Sequence, residues 1–226
     1  MERSVAEPKA ELLRGSGFRW IWPPRPEVSI RPESIGQMSG FVAQLKYNDW
    51  RTVTYVFPDG GVAFFNRQGG PLPPGRLTAQ HERGVQALAP VRGKLHVLDG
   101  GSLRIRVPAF GSRLILWDIL VWEGRHLVGT TYRERYGLLQ RACGEPSRPE
   151  RETGAGIALE TRWPGIWLAP TYETGWTELY QSHVHLPEIE GLVLKDPAAR
   201  LERALSERNN GSWQIRVRKP HANYAF

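Results

Sequence analysis

The chain has 226 residues, 40% of them hydrophobic and 23% charged, which suits one globular domain with small appendages and excludes a disordered polymer. No apolar run reaches the roughly 18 residues of a membrane span, the charged N-terminus lacks a secretory h-region, and the single cysteine, Cys143, supports neither an internal disulfide nor a cysteine-rich metal site. The formal net charge of +7 suits a polyanionic partner, nucleic acid or nucleotide, and the expected location is cytoplasmic, away from membranes.

In chain order, residues 1–17 read as a mobile lead-in with a short helix at Ala10–Arg14. Phe18–Pro26 is aromatic and proline-rich, so it is expected as an extended arm over the core and not as a central strand. Strands are expected at Phe41–Lys46 and Arg51–Phe57, then a turn at Pro58–Gly61 and a third strand at Val62–Phe65. A Pro/Gly-rich loop at Gly69–Gly75 precedes a helix near Leu77–Leu88. Further strands are expected at Lys94–Leu98, Leu103–Val107 and Arg113–Trp122, then a helix at Arg133–Arg141 and a linker over residues 144–156. Ile189–Leu194 reads as a strand, Ala198–Asn209 as a helix ended by Asn210-Gly211, and Trp213–Val217 as the last strand. Hairpins outnumber any βαβ pattern and there is no internal repeat, so the fold class is α+β with antiparallel sheets.

Lysine is rare, with five residues at 9, 46, 94, 195 and 219 against 25 arginines. Lys46 is kept inside the tract Gln44-Leu45-Lys46-Tyr47-Asn48-Asp49-Trp50-Arg51. An amine can lose a proton and attack an electrophile, whereas a guanidinium stays protonated. Nucleotidyl transfer to a lysine needs a desolvated amine, cations for the phosphates, a carboxylate for a divalent metal and an aromatic face for the base. Lys46 is the candidate nucleophile. Arg51, Arg67 and the pair Arg216 and Arg218, which alternate on one strand face, are candidate phosphate contacts. Trp117 follows an apolar strand. Glu190 and Lys195 flank another, five residues apart and so on opposite faces of an ideal strand. His183 and His185 lack a third ligand and read as structural, and Cys143, with no nearby histidine, does not read as a catalytic thiol.

Taken in order, these segments resemble the covalent nucleotidyltransferase superfamily: ATP-dependent DNA ligases, RNA ligases and mRNA capping enzymes. The ligase hallmark Lys-x-Asp-Gly-x-Arg is similar to Lys46-Tyr47-Asn48-Asp49-Trp50-Arg51, with Lys and Arg in register. Asn66-Arg67-Gln68-Gly69 resembles a Ser-Arg-x-Gly hairpin end, and Leu98-Asp99-Gly100-Gly101 a Leu-Asp-Gly-Glu strand end. Leu114–Leu120 resembles the Phe-Asp strand and Glu134–Leu139 the helix after it. Glu190-Gly191-Leu192-Val193-Leu194-Lys195 matches Glu-Gly-x-Val-x-Lys, and Arg216-Val217-Arg218 stands for Lys-x-Lys.

The resemblance implies a ligase-type adenylation domain over residues 18–220, two antiparallel β-sheets flanked by helices around a nucleotide cleft, with a short tail at 221–226. It implies ATP with Mg²⁺ or Mn²⁺, a lysyl-AMP at Lys46, and sealing of 5′-phosphate and 3′-hydroxyl ends. Nucleotide contacts are implied for Gln44, Arg51, Arg67, Trp117, Lys195, Arg216 and Arg218, and metal contacts for Glu190 and Asp99. Nicked DNA is the favoured partner. RNA ligation is the second reading, capping-type guanylyl transfer the third, and a degenerate, non-catalytic nucleic-acid-binding module the alternative of another class. The sequence departs from the pattern at Asn48 for Asp, Asp49 for Gly and Gly101 for Glu. A chain of 226 residues also leaves no room for the OB-fold domain that such ligases append, so a partner or dimer is expected in its place.

Overall fold

The computed structural model describes residues 19–72, 75–103, 113–144, 156–202 and 210–220. The lead-in with its helix at 10–14, most of the strand expected after Leu103, most of the 144–156 linker, residues 203–209 and the 221–226 tail lie outside the described residues.

In chain order the elements are β1 (Arg25–Ile30), a 3₁₀ helix (Pro32–Gln37), β2 (Val42–Tyr47), β3 (Trp50–Val56), β4 (Val62–Phe65) and α1 (Ala79–Leu88). There follow β5 (His96–Ser102), β6 (Leu114–Trp122), β7 (Arg125–His126), α2 (Tyr132–Cys143), β8 (Leu159–Glu160) and β9 (Ile166–Leu168). The chain closes with α3 (Trp176–His183), β10 (Ile189–Lys195) and β11 (Asn210–Arg218). The first sheet has the order β1-β11-β10-β2, and the second β4-β3-β5-β6-β9-β8 with β7 beside β6. The α+β class holds, but each sheet contains one parallel pairing, β1 with β11 and β6 with β9. Both pairings join strands separated by long crossovers, which free them from hairpin geometry.

Alternation in the first sheet decides what faces the site. Ala43, Leu45, Tyr47, Leu192, Leu194, Ile215 and Val217 form one core with Ile35 and the α3 residues Leu179 and Tyr180. The opposite face carries Gln44, Lys46, Val193, Lys195, Gln214, Arg216 and Arg218, all of which line one cavity. Arg216 and Arg218 therefore share a face, as their spacing requires.

The aromatic arm packs where its composition suggests. Trp20 stacks on Tyr55 with ring centroids 5.5 Å apart, and the Ile21 amide donates to the Tyr55 hydroxyl at 2.8 Å. Its continuation, β1, is a strand the sequence did not reveal. Pro26 is tolerated there because β1 is an edge.

α2 is fixed at both ends. Thr131 and Glu134 form a reciprocal capping box, and Gly144 closes the helix with φ +69°. Its first amides are also met from outside: Tyr132 N donates to Ala199 O and Arg133 N to Pro197 O, both at 2.9 Å. Those acceptors explain a correction. Residues 198–202, expected as the start of a helix, hold a turn and a bridge (Thr131 with Arg200) instead, with the Ala199 carbonyl, like that of Pro197, serving the N-terminus of α2. Among the described residues no helix is long and apolar enough to cross a membrane.

Candidate active site

A cavity of about 760 Å³ opens between the two sheets, a size that suits a small-molecule ligand. Lys46 stands on its wall, at the end of β2. Its Nζ donates to Glu190 Oε2 at 2.5 Å, and both side chains are about one-fifth exposed (19% and 21%).

Glu190 reaches Lys46 because the ladder slips. Gly191 pairs with Lys46 and Ile189 with Tyr47, so β10 spends one residue more than β2 and Glu190 is the extra one. This resolves the parity problem of Glu190 and Lys195, since the slip turns both toward the cavity. Gly191 permits it, with φ +143° and no room for a Cβ, which would lie 1.9 Å from the Val217 carbonyl oxygen. Gly191→Ala is accordingly expected to destabilise the fold by about 1–3 kcal/mol and to pull Glu190 away from Lys46. Urea unfolding checks the first effect and a crystal structure of the variant the second.

A second slip positions Trp117. Asp99 pairs with Asp118 and Gly100 with Leu116, leaving Trp117 as the extra residue of β6. Its ring lies parallel to Tyr47 (9°, centroids 6.3 Å), and its indole N–H donates to Asp99 Oδ2 at 2.9 Å. Asp99, 1% exposed, also accepts from both the Nε and a terminal nitrogen of Arg51, whose remaining reach goes to Pro24 O at 2.6 Å. Expected as a metal ligand, Asp99 instead stands behind the cavity wall as the anchor of Arg51 and Trp117, and it does not line the cavity.

Lys195 is buried at the cavity's inner end. It donates to Gln44 Oε1 at 2.6 Å and to the Tyr132 hydroxyl at 3.3 Å. Burial pulls its pKa down from 10.5 to about 8, opposed by Asp118 and Asp99. Gln44 spends its amide nitrogen on Ala169 O at 3.1 Å, so it orients Lys195 as well as lining the cavity. Behind them Arg135 and Asp118 form a doubly bonded ion pair at 2.9 and 3.1 Å, essentially without exposure.

Arg67 enters the cavity from the turn after β4. Asn66 Oδ1 accepts from Gln68 N at 2.9 Å and Gly70 N at 3.1 Å, which fixes the loop that presents it. Arg216 donates to Ser29 Oγ on β1 at 3.1 Å. The sequence reading did not single out Arg25, which lines the cavity because β1 pairs with β11. Only the parallel edge pairing reveals it.

Asp49, a departure from the motif, also lines the cavity. Its Oδ2 is buried without a hydrogen-bond partner. Burial first, then the negative charges of Glu190 and Asp99, push its pKa from 3.8 to about 7 against the pull of Lys46 and Arg51. Between those values the folded state holds more protons than the unfolded one, so stability falls as pH rises from about 4 to about 7. Asp49→Asn removes that dependence. At pH 8 it is expected to be more stable than the wild type by on the order of 1–3 kcal/mol, read from thermal melts across the pH range.

Cys143 is buried, and burial pushes its thiol up to about 12, which fits the reading that it is no nucleophile. Among the described residues no three His, Cys, Asp or Glu side chains cluster to hold a metal. A magnesium ion that takes one or two carboxylates and completes its shell with phosphate oxygens and water does not need such a cluster. Glu190, on the cavity wall beside Lys46, fits that role.

No protein-family model matches the chain, and no curated protein matches it. Solved structures do. The chain is similar to a mycobacterial DNA ligase D complexed with ATP and MES, with a TM-score of 0.62 at 14% identity over 89% of this chain and 62% of that one. It is similar to the ATP-dependent DNA ligase of bacteriophage T7 in complex with ATP, with a TM-score of 0.53 at 14% identity over 87% and 68% of the two chains. A Lig E DNA ligase described as binding DNA with a minimal scaffold gives 0.51 at 11% identity, over 89% and 69%. The chain spans about three-fifths of the two ligase D chains it matches, 62% and 60%. These likenesses establish the fold of a ligase-type nucleotidyltransferase domain.

Proposed function

We propose, with that fold as the premise, that the protein is an ATP-dependent polynucleotide ligase acting through a lysyl-AMP at Lys46. One observation carries the reading: the rare lysine of β2 stands on the wall of a cavity whose other cations are Arg25, Arg51, Arg67, Lys195, Arg216 and Arg218, with Glu190 held against its amine.

Neutral Lys46 Nζ attacks the α-phosphorus of ATP. The N–P bond forms, the P–O bond to pyrophosphate breaks, pyrophosphate leaves with the electron pair, and the surplus proton on the attacking nitrogen passes to water. Arg67, Arg216 and Arg218 hold phosphate, and Lys195, fixed by Gln44 and Tyr132, faces the nucleotide from the inner end. The Tyr47–Trp117 wall takes the base. A divalent cation held by Glu190 and the phosphates would neutralise the charge gathering on pyrophosphate. AMP then passes to a nucleic-acid 5′-phosphate, and a 3′-hydroxyl displaces it as the strand is sealed.

Intact mass after incubation with ATP and Mg²⁺ or Mn²⁺ tests the first step, and a gain of one AMP is expected. Nicked duplex DNA is expected to be sealed faster than nicked or single-stranded RNA. Equal or reversed preference makes RNA the substrate. No adduct with ATP, GTP or NAD under either metal leaves the non-catalytic binding module as the reading.

A further inference from the structure

Of the nine tryptophans, all of which lie among the described residues, only Trp50 is exposed, at 37%. The other large apolar residues of comparable exposure are the valines Val28, Val91 and Val128. An indole more than one-third exposed forgoes part of the burial that usually keeps a tryptophan in a fold. Trp50 opens β3 opposite Ser102 of β5, and it lines the cavity beside Arg51.

Its ring is nonetheless held. The Arg76 guanidinium, from the segment before α1, lies over the indole with Cζ 3.6 Å from the ring centroid. Arg76 is itself only 5% exposed, so a buried cation backs one face of an exposed ring. That contact fixes the plane of the indole in advance, and a side chain already ordered loses little freedom when a ligand lands on it. Arg25 and Arg67 are exposed and line the same cavity, so cations flank the ring at the cavity's rim. Aromatic rings set among backbone-tracking cations bind unstacked strands, because every base has a π-face. Tyr47 and Trp117, the wall assigned to the base of the nucleotide, are both less exposed, which leaves the rim ring to a second base.

We propose that Trp50, held by Arg76, is a stacking platform for a nucleobase that lacks a stacking neighbour, at the end of a nucleic-acid strand entering the cavity. The proposal rests on the ligase-type reading for the identity of that strand and adds a substrate feature to it. Within an unbroken duplex both faces of each base are covered by its neighbours. A face is offered only at a strand end, at an unpaired nucleotide or after costly flipping. Ends and overhangs are therefore favoured over continuous duplex, by a contact that involves no phosphate.

The test is fluorescence anisotropy with a labelled short single strand carrying a 5′-phosphate, made as DNA and again as RNA, with single abasic sites placed in turn along it. In the wild type one abasic position is expected to weaken binding about tenfold. Trp50→Ala is expected to weaken the intact strand by a similar factor and to become indifferent to that abasic position, while Trp50→Phe stays within about threefold of wild type. The salt dependence of binding is expected to be unchanged in Trp50→Ala and shallower in Arg67→Ala, since only the second removes a charge from the rim. Affinity for covalently closed circular duplex, which has no ends, is read by competition and is expected to be the same in Trp50→Ala and wild type. Intact-strand affinity of Trp50→Ala within about twofold of wild type for both DNA and RNA overturns the proposal, as does an equal loss on closed duplex. If Trp50→Ala does not fold, the wild-type abasic series decides, and the lack of any sensitive position overturns the platform. None of these measurements needs the lysyl adduct. An adduct with a failed abasic series removes the platform and keeps the ligase reading, whereas a sensitive abasic position without an adduct does the reverse.

Discussion

Replacing Lys46 by alanine or by arginine is expected to remove the mass gain with ATP entirely, a loss of about 1,000-fold or more in adduct rate, equivalent to roughly 4 kcal/mol of transition-state stabilisation. The arginine variant is the more informative. It keeps a positive charge opposite Glu190 and so preserves much of the pair now made at 2.5 Å. It cannot supply a neutral nitrogen at any pH compatible with the fold. If electrostatic binding of ATP were the whole role of Lys46, Lys46→Arg would retain attachment through some other nucleophile. Intact mass of the three proteins, with peptide mapping of any adduct, settles the matter. AMP recovered on another residue in Lys46→Arg would sink the assignment.

Arg135→Ala is expected to cost about 3–5 kcal/mol of stability, which for a domain of this size lowers the melting temperature by roughly 6–20 °C. The Arg135–Asp118 pair has essentially no exposure on either side (0% and 1%), so removing the guanidinium leaves a buried carboxylate without its counter-charge. Arg135 also donates to Thr130 O at 2.7 Å and packs near the Tyr132 and Trp213 rings, so packing is lost with the charge. The double change Arg135→Met with Asp118→Leu, which removes both charges and keeps volume, should recover most of the loss. A urea midpoint for Arg135→Ala equivalent to less than about 1 kcal/mol would show that water reaches Asp118 and that the pair is not a dry one.

Much of the chemistry was legible because it depends on residue type in order. A lysine in a chain that otherwise uses arginine, the Arg51 five residues on, and Glu190 to Lys195 all come to the same cavity. The hairpins were legible from alternation and turn residues, and α2 was expected over Arg133–Arg141, while its capping box at Thr131 and Glu134 was not read. What was not legible falls into two physical kinds. One is slipped registers. An ideal strand places Glu190 and Lys195 on opposite faces, and only an extra residue in the ladder reconciles them; Trp117 owes its place to another. A bulge leaves no mark in hydrophobic period beyond a glycine whose purpose is ambiguous. The other kind is competition for a side chain. Asp99 reads as a free carboxylate until Arg51 and Trp117 are seen to claim it, and Ala198–Asn209 reads as helix until its start is seen to give the Ala199 carbonyl to α2. Asp49 is the reverse case, a residue that departs from the motif and still lines the cavity.

The contacts around the candidate nucleophile have a bearing on how such a chain is made. Lys46 and Glu190 are 144 positions apart, and Gln44 and Lys195 are 151 apart. During synthesis Lys46 on β2 emerges well before β10, the strand that completes its surroundings. Loop closure over such separations is slow and is rewarded only when the sheet forms. A nascent or partly unfolded chain therefore presents an ordinary, solvated lysine at position 46. Until β10 pairs with β2, Lys46 lacks Glu190 and Gln44 lacks Lys195, so the charge pairing of this wall exists only in the closed sheet.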